Sequence, residues 1–66
     1  MPVINIDLGL GQTNEAQKKQ LISRLTSDAA EITGMPAEKF ITFINEFPLE
    51  NIGLGGNTVK ELSAKR

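Results

Sequence analysis

Residues 3–8 read Val3-Ile4-Asn5-Ile6-Asp7-Leu8 and alternate from Ile4 onward, with Ile4, Ile6 and Leu8 on one face and Val3, Asn5 and Asp7 on the other. Side chains of an extended chain point alternately to opposite faces, so the pattern predicts a β-strand with one face on an apolar layer. Gly9-Leu10-Gly11-Gln12-Thr13 follows, and its two glycines, free to take positive φ, predict a turn out of the sheet.

Asn14 with Gln17 three residues on is a capping-box signal, and Glu15 sits where the helix dipole favours an acid. A helix is predicted from here. Leu21, Ile22, Leu25, Ala29 and Ile32 recur at helical spacing as the apolar stripe, and Lys18, Lys19, Arg24, Asp28 and Glu31 fall on the remaining arc. Gly34 is the expected left-handed residue after the helix, and Pro36 cannot continue it.

Phe40-Ile41-Thr42-Phe43-Ile44 is β-branched and aromatic on both faces, the pattern of a strand covered on both sides, with Lys39 before it and Asn45-Glu46 after it. Strand, helix and strand with short connections predict a right-handed βαβ unit whose strands run parallel. Gly53-Leu54-Gly55-Gly56 predicts a tight turn or short hairpin, and Lys60–Arg66 adds a helical turn or frays. The fold class is therefore α/β, in one domain over residues 1–66.

Sixty-six residues bury little surface, and the chain has no cysteine for disulfides and no His or Cys cluster for a structural metal. Two strands also leave two open edges. Oligomerisation is the remaining source of stability, and a homo-oligomer is expected. Seven Lys and Arg among eight Asp and Glu give a net charge of −1 with no basic stripe, so nucleic-acid binding is not expected. The stretch Met1 to Asp7 has neither a basic signal-type start nor an apolar run of membrane length. A cytoplasmic protein without membrane contact is expected, and no cofactor.

Ser/His and Cys/His nucleophilic chemistry is excluded by composition. Gly53-Leu54-Gly55-Gly56 lacks the Gly-Lys-Ser/Thr of a phosphate loop, and nothing in the spacing of Asp7, Glu46 and Glu50 requires a catalytic carboxylate pair. That scarcity directs attention to Pro2. Removal of the initiator methionine, ordinary before a small residue or proline, exposes a secondary amine at the start of a strand. An α-amino group has a pKa of roughly 7.7–8.0, and burial disfavours its ammonium form, so the amine becomes a base at neutral pH.

The order Met1-Pro2-Val3-Ile4, a Lys18-Lys19-Gln20-Leu21-Ile22 helix, a Pro36 turn, a strand ending Asn45-Glu46, and Asn51-Ile52-Gly53-Leu54-Gly55-Gly56 resembles the 4-oxalocrotonate tautomerase family over nearly the whole chain. The resemblance implies a dimer with a four-stranded sheet covered by two helices, assembled three at a time into a hexamer. It implies an isomerase that interconverts enol and keto forms of small unsaturated 2-oxo acids, with Pro2 as the catalytic base. Two substrate-binding arginines of the family are absent: Gln12 or Thr13 stands at the first and Ile41 at the second, and Ile52 replaces an aromatic wall residue. Lys39, two residues before Ile41 and so expected on its sheet face, is either a substitute cation supplied by a neighbouring subunit or a solvated lysine, and Gln12 is a candidate hydrogen-bond donor to a carbonyl oxygen. The alternative to the enzyme is a non-catalytic oligomeric scaffold on the same fold. If Met1 is retained, the Pro2 nitrogen is an amide and not a base.

Overall fold

The computed structural model describes residues 1–64. Strand β1, Val3–Gly9, pairs in parallel with β2, Ile41–Phe47, through seven partners from Val3↔Ile41 to Gly9↔Phe47. Helix α1, Glu15–Thr33, makes the crossover between them. A 3₁₀ turn, Ala37–Lys39, leads into β2, and another, Leu49–Asn51, leads out of it. The chain closes with the antiparallel pair β3, Gly53–Leu54, and β4, Asn57–Thr58, and with α2, Val59–Ala64. The tail thus forms a short helix as far as Ala64. The remainder of the predicted tail, Lys65 and Arg66, lies outside the described residues.

The signals at the ends of α1 are realised. Asn14 Oδ1 accepts from the Gln17 amide at 2.8 Å, and Gln17 Oε1 accepts from the Asn14 amide at 2.9 Å. Gly34 takes φ 75° and its N–H donates to the Ala30 carbonyl, satisfying a carbonyl that the helix leaves free. Asn14→Ala is expected to lower stability by about 1 kcal/mol, read as a lower urea midpoint at unchanged slope.

Three predictions are corrected. Of the first turn's glycines, Gly11 has φ 87°, but Gly9 is the last residue of β1 and is buried. A Cβ there would stand 2.9 Å from Leu49 Cδ2 and 3.0 Å from Gln12 Cδ, so glycine is required for close approach rather than for positive φ. The second strand begins one residue late and runs to Phe47. Pro36 starts the 3₁₀ turn, which Phe40 closes by donating to the Ala37 carbonyl, and the seven residues of β1 then pair with all of Ile41–Phe47. Asn45 Nδ2 donates to Asp7 Oδ1 at 3.1 Å across that extension.

The third correction concerns the face of α1. Lys18 is half-buried against the sheet and pairs with Glu46 Oε1 at 2.6 Å, and Thr26 meets Thr42 at 3.1 Å between hydroxyls. Leu21, Leu25 and Ala29 share this inner side, as predicted. Ile22 keeps 42% and Ile32 84% of their surface exposed. Two strands about 4.8 Å apart are narrower than a helix some 10 Å across, which leaves Ile22 at an uncovered margin. The helix is also about 27 Å long against about 20 Å of strand, so Ile32 overhangs the sheet.

Since Thr42 and Glu46 face α1, alternation turns Ile41, Phe43, Asn45 and Phe47 to the opposite face, where Phe43 is 51% exposed. The strand predicted as covered on both sides is covered on one within a single chain. Accessible surface is 5135 Å² for 7.2 kDa, against about 4,100 Å² for an ordinary folded monomer of that mass. The radius of gyration, 15.2 Å, compares with about 11 Å for a compact domain of this length.

Candidate active site

Pro2 immediately precedes β1, and its carbonyl accepts the Ile41 N–H at 3.0 Å, one step before the first pair of the sheet. This bond fixes the start of one strand against the start of the other. Pro2 is half-buried in a cleft whose other walls are Met35, Pro36, Glu38, Lys39 and Ile41. Met1, 88% exposed, also lines the cleft, so its removal both frees the Pro2 amine and widens the opening.

Each wall has a local cause. Gly34 turns the chain in the left-handed conformation, the Met35 N–H donates to Thr33 Oγ1 at 3.3 Å, and Pro36 is held extended at φ −66° and ψ 138°. The next residues close the 3₁₀ turn through Lys39 N–H to the Pro36 carbonyl at 3.0 Å. Lys39 lies in that turn, ahead of the strand, so strand alternation does not determine its direction. It reaches the same cleft as Ile41 because the turn folds over the sheet end.

Gln12 and Ile52 lie elsewhere. They line a second cleft with Leu8, Gly9, Phe47 and Leu49 at the other end of the β1–β2 pair, about 20 Å away by the usual strand rise. Gln12 Oε1 accepts the Gly9 N–H at 2.9 Å, leaving its amide nitrogen as donor. Ile52 is half-buried before the hairpin, and its carbonyl accepts the Val59 N–H at 2.8 Å. Thr13, the other residue considered at the first arginine position, has its Oγ1 buried with no hydrogen-bond partner among the described residues. A single chain therefore brings together Pro2, Lys39 and Ile41 and separates them from Gln12 and Ile52.

Sequence reasoning did not single out Met35 or Glu38 as cleft residues. Their signal was available as an apolar residue and an acid flanking Pro36, but their proximity to Pro2 depends on how the helix returns the chain to the sheet. No helix among the described residues is long and apolar enough to cross a membrane.

The family described as tautomerase enzyme matches residues 2–62. Over 62 residues the chain is 40% identical to a 2-hydroxymuconate tautomerase from Pseudomonas putida, with 94% of this chain and 97% of the relative covered. It is similar to the solved structure of TomN, a 4-oxalocrotonate tautomerase homologue in the tomaymycin biosynthetic pathway, at TM-score 0.90 and 32% identity, covering 96% of this chain and 95% of that one. A heterohexamer 4-oxalocrotonate tautomerase from Chloroflexus aurantiacus J-10-fl is similar at TM-score 0.87 and 27% identity, covering 94% and 98%.

Proposed function

The chain belongs to the tautomerase family, and from that premise we propose that it interconverts enol and keto forms of a small unsaturated 2-oxo acid, with the Pro2 amine as general base after Met1 is removed. The observation that carries this reading is the position of Pro2, half-buried at the strand start in a cleft with apolar walls, one cation and one carboxylate. Met35, Pro36 and Ile41 disfavour the ammonium form and keep the amine able to accept a proton. The amine takes the enol hydroxyl proton, the oxygen's electrons form the carbonyl, and the resulting ammonium returns a proton to the terminal carbon of the enol system. No net redox change occurs.

Lys39 is the group in this cleft that would hold the substrate carboxylate, while Ile41 offers a second carboxylate no partner. Gln12 and Ile52 would reach the substrate from a neighbouring copy in a homo-oligomer, which we place as a dimer with a four-stranded sheet and two helices, three dimers forming a hexamer. The separation of the two clefts, the bare sheet face and the excess surface support this assembly. Residues 1–66 would then act as one domain, in the cytoplasm, without cofactor.

The test is ketonisation of a phenyl-substituted enolpyruvate by protein whose mass shows Met1 absent. Turnover well above buffer supports the enzyme, and none with several aryl and alkyl enols leaves the non-catalytic scaffold. Within an active enzyme, Lys39→Ala is expected to raise KM by about 10-fold or more, in the range of a lost charge-assisted hydrogen bond, with a smaller effect on kcat. Unchanged kinetics would return Lys39 to the solvated surface.

A further inference from the structure

Glu38 and Lys39 are adjacent on the 3₁₀ turn Ala37–Lys39, and both line the Pro2 cleft. The turn is held on both sides: Lys39 N–H to the Pro36 carbonyl at 3.0 Å, Phe40 N–H to the Ala37 carbonyl at 3.1 Å, and Ile41 N–H to the Pro2 carbonyl at 3.0 Å. These bonds fix the backbone that carries the two charges relative to Pro2, and both side chains extend from it exposed at the cleft. Glu46 is neutralised by Lys18 and Asp7 accepts from Asn45, whereas Glu38 makes no ion pair or side-chain hydrogen bond among the described residues. The remaining walls, Met35, Pro36 and Ile41, carry no side-chain donor.

We infer that Glu38 is a specificity-determining residue of this cleft, repelling a second carboxylate and restricting the substrate to monoanionic enols with an apolar remainder. The inference rests on the reading of the cleft as the active site. A monoanion fits the cation and the apolar walls: its carboxylate meets Lys39, and its apolar end lies along Met35 and Ile41. A dianion must direct its second carboxylate either at those apolar walls, where it loses water without gaining a partner, or toward the like charge of Glu38. Glu38 thus acts through the charge of the bound molecule, and it takes no part in proton transfer.

The experiment compares kcat/KM for a phenyl-substituted enolpyruvate and for 2-hydroxymuconate, a dicarboxylate dienol, in the processed wild type, Glu38→Gln and Glu38→Lys. The ratio of dicarboxylate to monocarboxylate kcat/KM cancels any loss of correctly folded enzyme. It is expected to rise about 3- to 10-fold in Glu38→Gln, further in Glu38→Lys, and the gain should shrink toward 1 M salt as the charge is screened. A ratio unchanged in both variants of an active enzyme overturns the inference and leaves the proposed function standing. A processed wild type that turns over neither substrate overturns both.

Discussion

Phe43→Asp is expected to abolish assembly and folding together. Phe43 lies mid-strand on the sheet face turned away from α1, paired across the ladder with Asn5 and 51% exposed in the single chain. Ile41 and Phe47 share that face, the latter 41% exposed, so it presents apolar surface that no part of the described chain covers. Covering a phenylalanine contributes about 1.5–3 kcal/mol per copy, and a carboxylate placed in the same contact costs several kcal/mol after relaxation. A chain of this size has about 5 kcal/mol of stability or less to lose. Sedimentation velocity should show the wild type as an oligomer at micromolar concentration and the variant as an unfolded monomer by circular dichroism. Phe43→Leu, which retains apolar bulk, should assemble. A Phe43→Asp protein that sediments like the wild type would place the oligomer contact elsewhere, and a folded wild-type monomer would remove the assembly altogether.

Blocking the Pro2 nitrogen is expected to have the largest effect on catalysis. Acylation of the terminus, or retention of Met1, converts the amine to an amide with no basic lone pair, and general-base catalysis is typically worth about 10²–10⁴-fold. Met1 also lines the cleft, so its retention leaves an additional side chain at the opening. In the processed protein, activity should rise with pH as the amine loses its proton and level off above its pKa. Partial burial and the Lys39 ammonium in the same cleft both disfavour the protonated amine, and Glu38 opposes them. The net expectation is a limb below the ordinary α-amino range. Pro2→Ala keeps a primary amine in a similar place and should retain a trace of turnover. Turnover that survives acylation undiminished would show that another group is the base.

The elements of this protein were legible in its residues wherever a short-range rule governs them. Strict alternation marked β1, Asn14 with Gln17 marked the start of α1, Gly34 before Pro36 marked its end, and the glycine turn marked the hairpin. Pro2 stood out as the candidate base because the chain has no His or Cys, and a proline freed of Met1 would carry a secondary amine. Each of these depends on backbone geometry or chemistry within a few positions, which the order of residues already contains.

Tertiary structure decided what depends on a distant neighbour. Pairing with β1 extended β2 through Asn45 and Glu46 to Phe47, and the resulting end of the sheet gave Lys18 a carboxylate to meet. The same packing left Ile22 and Ile32 outward, since helical spacing identifies an apolar arc but not how much of it a two-stranded sheet can cover. Gly9 was required by the approach of Leu49 as well as of nearby Gln12, and the Leu49 contact exists only once β2 has returned the chain alongside β1. The placement of Glu38, Lys39 and Met35 around Pro2, and of Gln12 and Ile52 at the opposite end of the strands, likewise followed from the parallel register. Residues 33 or more positions apart in the chain meet there because a parallel crossover returns the second strand to the starting end of the first.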